Sequence, residues 1–505
     1  MVDLEAVDGC PGKYTLGLGQ EAMAFASDRE DAVSMALTAA HSLMEKYGAA
    51  TESGVDRSKG ITSHLMRYFE QQQQQDGESQ PHLGPAQGRQ GARPAVRGPP
   101  APAADAMHAC FGGTSALLAA AAWVESRQWD GRLALVVAAD VALYAPGSAA
   151  RPTGGCGAAA LLVGPDAPLV LDPMWQGAHG AHAWDFFKPL GRLPYPSVDG
   201  PLTLGQYLGS AGHCALRLAE RLERAGLLAP GEGAEHEAWV REWAQEEASQ
   251  EAVPRSGPGG EASAPAPAIQ TAQPAPDPGG PLGAALRGVL RSREQLPRDP
   301  EACACWGLDD KHLESALLVA TDALWRDIAE DAAWLQKQVG NAYTASLWQG
   351  LASLVARRGE GLAGRRLLLF SFGSGTMAAL LSLVARGSRA AVAVPGGPAR
   401  RGGLLAESGA LEGGEGGSEG EAGPADPRFT LAAVRRTLDL EARLAARVAR
   451  PVPVYDAVSE QVERAYGCPV PYSPVGDLAD VAAGVYYLDR VDEQSRRWYE
   501  RRTVD

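Results

Sequence analysis

Hydrophobic positions fall in short runs bounded by glycine, proline and acidic residues, and the runs form two similar series. In the first, TSALLAAAAWVESR (114–127) has the length and residue types of a helix, while RLALVVAAD (132–140) and AAALLVG (158–164) have the length and flanks of buried strands. This order predicts an α/β arrangement. In the second, HLESALLVATDALWRDIAEDAAWLQKQ (312–338) predicts a long helix and Leu347 to Ala356 another. RRLLLFSFGSG (365–375) then reads as strand and turn, and TMAALLSLVAR (376–386) as a helix. At the C-terminus GVYYLDRVDEQSRRWYERR (484–502) alternates well enough over Val485 to Val491 for a strand, and its basic tail reads as a solvated face.

Three intervening stretches carry neither period. Residues 71–106 open on five glutamines and run on through QGRQGARPAVRGPPAPAADA. Residues 229–300 join an acidic piece, EHEAWVREWAQEEAS, to PGGEASAPAPAIQTAQPAPDPGGP, and 395–427 contain GALEGGEGGSEGEAGPADP. Such compositions cannot bury enough apolar surface to offset the entropy of ordering them, so all three are expected to be solvated and mobile. The expected organisation is an N-terminal half over 1–228, a low-complexity linker over 229–300 and a C-terminal half over 301–505.

Composition narrows the partners. The 60 glycines and 36 prolines are about 19% of the 505 residues, against ~12% in average usage, and they gather in patches. With 46 Lys and Arg against 61 Asp and Glu the net charge is -15, and no basic stripe stands out, which argues against a nucleic-acid partner. No run reaches the ~18 apolar residues of a membrane span, and the opening MVDLEAVDGCPGKYT has no apolar core, so a soluble, cytoplasmic protein without a membrane partner is expected. The cysteines at 10, 110, 156, 214, 303, 305 and 468 repeat no metal spacing and fit reduced thiols; no metal and no cofactor is expected.

Cys110, in MHACFGGTSALLAAAAW, precedes a glycine pair and an apolar helix. Unpaired amides and the macrodipole at a helix N-terminus favour thiolate over thiol, the glycines admit close approach, and the Cys110 amide could donate to an oxyanion. An inert, small buried side chain fits the same position. Glu52, in GAATESGVDRSKG, is by itself an ordinary loop carboxylate. In HGAHAWDFFKP, His179, His182 and Asp185 invite a metal reading, but three ligands at that spacing without a fourth favour a structural role. The GSG turn at 373–375 could offer amides to a carbonyl oxygen.

Taken together, ACFGGTSALLAAAAWVESRQWDGRLALVVAADVALYAPG, ARPTGGCGAAALLVGPDAPL, HAWDFFKP with PYPSVDGPLTLGQYL, GNAYTASLWQGLASL, FSFGSG and YYLDRVDEQSRRWYERR resemble, in order, the blocks of eukaryotic 3-hydroxy-3-methylglutaryl-CoA synthases. The resemblance implies a thiolase-like fold of two related α/β halves in five layers, αβαβα, assembled as a homodimer, with acetyl-CoA and acetoacetyl-CoA as substrates in isoprenoid and sterol synthesis. It implies that Cys110 takes the acetyl group as a thioester and that Glu52 removes a proton from the acetyl methyl. By the same resemblance Thr153 in RPTGG, Asn341 in GNAY and Ser374 in the GSG turn match substrate-contacting positions of the family, and Thr203, a further substrate-binding candidate, falls where the family tends to carry a serine.

Departures are equally specific. A histidine block reading roughly FHSPYxKLVQKS is expected after LGSAGHCALRLAERLERAGLL (208–228), and the Pro/Ala/Gly tract stands in its place. Neither its histidine nor its CoA-binding lysines can be carried over, and His236 and His312, beside the linker, lack neighbours that would fix them near Cys110. A strand ahead of DGCPGKYT and another between Tyr47 and Thr51 are not legible, and Phe111 stands where the family prefers tyrosine. The alternative reading is an impaired homologue that retains fold, dimerisation or CoA binding only.

Overall fold

The computed structural model of the chain describes residues 2–3, 19–47, 61, 64–65, 104–188, 194–227, 321–387 and 427–503. Glu52, His236, His312 and nearly all of the three low-complexity stretches lie outside them. In chain order the elements are β1 (Val2–Asp3), β2 (Ala22–Met23), α1 (Ala32–Tyr47), α2 (Gly112–Val124), β3 (Ala134–Val141), β4 (Cys156–Val163), β5 (Leu169–Leu171), β6 (Gly177–Gly180), β7 (Phe186–Phe187), β8 (Ser197–Val198) and α3 (Gly200–Arg224). Then come α4 (Glu330–Val339), α5 (Ser346–Arg358), β9 (Arg366–Gly373), β10 (Met377–Ala385), α6 (Leu431–Leu438), α7 (Leu440–Ala445), α8 (Val452–Ala465), β11 (Tyr486–Val491) and β12 (Arg497–Arg501).

Strand alternation builds the layers. β3 and β4 pair antiparallel, Ala134 opposite Val163 through Val141 opposite Cys156. Leu135 and Val137 pack towards α1, whereas Ala138, with Ala159 and Leu161 of β4, joins the cluster around Leu117 of α2 and Trp348 of α5. β10 is the hub of a second sheet: it pairs antiparallel with β9 along one edge and with β6 and then β5 along the other. α2 and α5 therefore lie between two sheets, α1 covers the first and α3 covers β6 and β10 of the second. The order is helix, sheet, helix, sheet, helix. α3 starts where Asp199 Oδ1 accepts the Leu202 N–H at 3.1 Å, an N-cap bond that satisfies one of the free amides of its first turn.

The structure corrects three sequence expectations and adds a strand at the solvated basic tail. Residues 376–386 form strand β10, not a helix. Ala379, Leu381, Leu383 and Ala385 face the middle layer, while β10 also packs against α3, so both faces are buried and no polar alternation marks the strand. The helix expected over 312–338 is, where described, helical at 321–328 and again from Glu330, interrupted at Ala329 (φ -126°, ψ -28°). The basic tail is strand β12, paired with β11, and Tyr499 OH donates to Asp31 Oδ2 at 2.7 Å. Ahead of DGCPGKYT, Val2–Asp3 pairs with Ala22–Met23 as the short strand β1.

Candidate active site

Cys110 lies in a tight turn that feeds α2. The Phe111 N–H donates to His108 O at 2.9 Å, and Ala109 takes the left-handed φ of 41° needed to close the turn. From the other half, the β9–β10 turn presses against this loop. A side-chain carbon on Gly373 would stand 2.7 Å from Phe111 N and 2.8 Å from His108 O, so only glycine fits. Ser374 sits at the tip of that turn. A buried bond of 2.7 Å between the Thr114 and Ser371 hydroxyls ties α2 to β9 just behind it.

Asp185 locks the turn from a third direction. It is fully buried; its Oδ1 accepts the Gly375 N–H at 3.0 Å, and its carbonyl accepts from Asp199 N–H at 2.8 Å and from the Thr203 hydroxyl at 3.2 Å. Ala183 N–H donates to Gly375 O at 2.8 Å. Thr203 thus reaches the site through Asp185.

The charge state of Cys110 overturns the expectation of a favoured thiolate. Burial pushes the thiol up to about 12, and the carboxylates of Asp140 and then Asp185 add to the shift. The first-turn amide of Gly113 is already spent on Thr344 Oγ1 at 2.6 Å, so the helix end offers less than an open terminus would. Burial likewise pushes the Asp140 carboxyl up to about 6, opposed by the Val141 N–H and by Lys188. Cys110 packs against the cluster of Ala142, Tyr144 and Tyr343, which Phe186 also borders, and the rings of Tyr144 and Tyr343 meet edge-on at 6.4 Å. Burial raises both phenols, so both stay protonated donors.

Thr153 and Asn341 come together through their backbones, the Asn341 N–H donating to Thr153 O at 3.0 Å. Their side chains serve local structure. Thr153 Oγ1 donates to Ala150 O at 2.7 Å, and Asn341 Oδ1 accepts from Tyr343 N–H at 2.8 Å and Ser346 Oγ at 2.9 Å. Asn341 therefore positions Tyr343 beside the thiol. His179, His182 and Asp185 diverge: His179 stacks on His213 at 4.2 Å, His182 meets Trp184 edge-on at 5.5 Å, and Asp185 serves the turn. Among the described residues no group of three His, Cys, Asp or Glu could hold a metal ion.

Sequence reasoning passed over Asp140, Tyr144, Tyr343 and His108. Asp140 carried a signal, being the lone charge in LALVVAADVALY; the tyrosines carried none, because their convergence depends on tertiary packing.

A thiol at the head of an apolar helix, sandwiched between two sheets and closed by a glycine turn from the other half, defines a thiolase-like acyl-transferring enzyme. Family models described as the N-terminal and C-terminal parts of hydroxymethylglutaryl-coenzyme A synthase match residues 1–88 with 101–168 and 301–394 with 424–502. The human cytoplasmic hydroxymethylglutaryl-CoA synthase is 31% identical over 99% of this chain and 84% of its own length. The Gibberella zeae enzyme is 30% identical over 99% of this chain and 94% of its own. Among solved structures, MvaS in complex with 3-hydroxy-3-methylglutaryl coenzyme A superposes with a TM-score of 0.61 at 24% identity, covering 99% of this chain and 96% of that one. The chain belongs to the hydroxymethylglutaryl-CoA synthase family, whose members are acyltransferases of the mevalonate pathway.

Proposed function

We propose that the chain condenses acetyl-CoA with acetoacetyl-CoA to give 3-hydroxy-3-methylglutaryl-CoA, with Cys110 as nucleophile and Glu52 as the base that makes the carbon nucleophile. The observation that carries this reading is the seating of Cys110 in the turn before α2, pressed by Gly373 and backed by Asp185. Cys110 attacks the acetyl thioester and CoA leaves as thiol. Glu52 then takes a methyl proton, and the resulting carbon attacks the ketone of acetoacetyl-CoA; water finally releases the product from the sulfur. Because the resting sulfur is a thiol, its proton must leave as the acyl bond forms. Ser374, Thr203, Thr153 and Asn341 belong to the substrate-contacting surroundings in this reading, the last two acting through the loops they join.

The two-half organisation, 1–228 and 301–505 about the 229–300 linker, is supported by the hairpins β3–β4 and β9–β10 on either side of α2 and α5. A homodimer is supported by apolar surface at Leu204, Tyr207 and Leu208 of α3 and Leu368 of β9, which are left exposed. A cytoplasmic setting is supported by the cytoplasmic human relative and by free thiols at Cys110, Cys156, Cys214 and Cys468. Among the described residues no helix is long and apolar enough to cross a membrane. The impaired-homologue reading is not favoured by identity that extends over nearly the whole chain. Intact-mass spectrometry after exposure to acetyl-CoA tests the proposal: one acetyl adduct is expected, absent in Cys110→Ala, and a folded protein that stays unmodified would refute it.

A further inference from the structure

Buried polar atoms without partners are rare, and each one asks for a reason. Besides Tyr343 Oη, which packs beside Cys110, two such atoms meet at the β9–β10 turn among the described residues: His108 Nε2 and Asp185 Oδ2 are both shielded from solvent and bonded to nothing. They face the same turn. His108 Nε2 lies 3.8 Å from where a side-chain carbon on Gly375 would begin, and the other oxygen of Asp185 holds the Gly375 amide at 3.0 Å. His108 is two residues ahead of Cys110, its ring edge-on to Phe111 at 6.4 Å, in a turn whose backbone is fixed by its own hydrogen bond and by Gly373. The imidazole is thus anchored at the turn two residues ahead of Cys110, with a free ring nitrogen. Leaving that nitrogen unpaired is a cost that a ligand oxygen accepting from it would remove.

Resting on the condensation reading above, we propose that His108 is a catalytic residue, its Nε2–H donating to the ketone oxygen of the acetoacetyl group. As the acetyl carbon bonds to the ketone carbon, the carbonyl π pair moves onto oxygen. The imidazolium Nε2–H transfers its proton there, giving the tertiary alcohol and a neutral ring that regains a proton from solvent. Glu52 releases the methyl proton to solvent, so protons balance. His108 is suited to this role because it is held by a rigid turn, where geometry can be maintained.

His108→Asn tests this, since its amide is too short to reach the Nε2 position; His108→Gln, whose amide N–H can reach it, is the companion variant. In His108→Asn, Cys110 acetylation should stay within a few-fold of the parent while kcat for condensation falls by ~10²- to 10⁴-fold, the range for loss of one general acid. His108→Gln should recover part of that loss. A second readout needs no turnover. With acetoacetyl-CoA labelled with carbon-13 at the ketone and bound to Cys110→Ala, the ketone resonance should move downfield, and adding His108→Asn should abolish the movement. Normal condensation by His108→Asn would overturn the proposal, as would an unmoved resonance in Cys110→Ala. A parent protein that is acetylated yet does not condense overturns the role of His108 and leaves the acyl-transfer step standing. A parent that is never acetylated overturns both.

Discussion

Replacing Gly373 by alanine would put a methyl carbon 2.7 Å from Phe111 N and 2.8 Å from both His108 O and Phe111 Cβ. Ordinary contact begins at 3.4 Å, so the turn and the Cys110 loop must open by about 0.7 Å. Two of the three neighbours are backbone atoms and cannot rotate away. The pairing of Gly373 with Met377 fixes the turn on one side, and α2 fixes the loop on the other. Overpacking of this kind costs ~1–3 kcal/mol, which lowers the melting temperature by ~2–10 °C in a domain of this size. A displacement approaching 1 Å at reacting groups costs ~10²-fold in rate. Thermal melts and the time course of Cys110 acetylation should therefore both be impaired, the second more severely. Gly361→Ala is the control, because nothing lies within 4 Å of its added carbon. If Gly373→Ala melts with the parent and acetylates at the parental rate, the close approach of turn and loop is not what organises the site.

Asp140→Asn should lower the Cys110 pKa by removing the second-largest cause of its elevation, so iodoacetamide should alkylate Cys110 faster at pH 8; an unchanged rate would exclude Asp140 as a cause. The Asp140 carboxyl, raised from 3.8 to about 6 in the folded state, contributes stability that is full below its unfolded value and lost as pH rises through about 6. The asparagine variant should therefore gain up to ~2–3 kcal/mol relative to the parent above that pH, read by urea unfolding; equal pH profiles would contradict the shift. Thr114→Val should cost ~1–3 kcal/mol by orphaning the Ser371 hydroxyl, and Thr114→Val with Ser371→Ala should cost less than the two singles added; strict additivity would mean the pair is uncoupled. Glu52→Gln should leave Cys110 acetylation intact and abolish condensation, and equal loss of both half-reactions would assign Glu52 a structural role.

The middle of this fold was legible where burial is one-sided or continuous over helix length. α2 was read from a run too long and too uniformly apolar for a strand, and β3 and β4 from short runs with breakers at both ends. β10 was misread because Ala, Leu and Met are helix formers and both of its faces are covered, which removes the alternation that would mark a strand. β12, whose charged residues stay exposed as a solvated face should, was not foreseen as a strand because its partner β11 draws them into a ladder that propensity alone does not demand. At the site, Cys110 and the GSG turn were legible because glycine and cysteine have few reasons to sit beside an apolar helix. The electrostatics were not. The sequence places a helix terminus next to Cys110, but the opposing effects of burial and of Asp140 depend on distances that only the packed structure sets.

The same packing explains why the site has to be a product of the whole fold. Thr114 and Ser371, 257 residues apart, share a buried bond, and Gly375 reaches back 190 residues to Asp185. Every wall of the Cys110 environment comes from a different stretch: His108 and Phe111 from the turn, Asp140 and Tyr144 from the end of β3 and the loop beyond it, Asp185 from the segment before α3, and Tyr343 and Gly373 from the second half. Burial raises the thiol pKa only while these walls are closed, so the closure that keeps the sulfur protonated also fixes the side chains around it. A nucleophile displayed at an open helix end would ionise more easily, yet it would lose the rigid neighbours that orient a substrate. The structure trades intrinsic thiolate character at Cys110 for geometry.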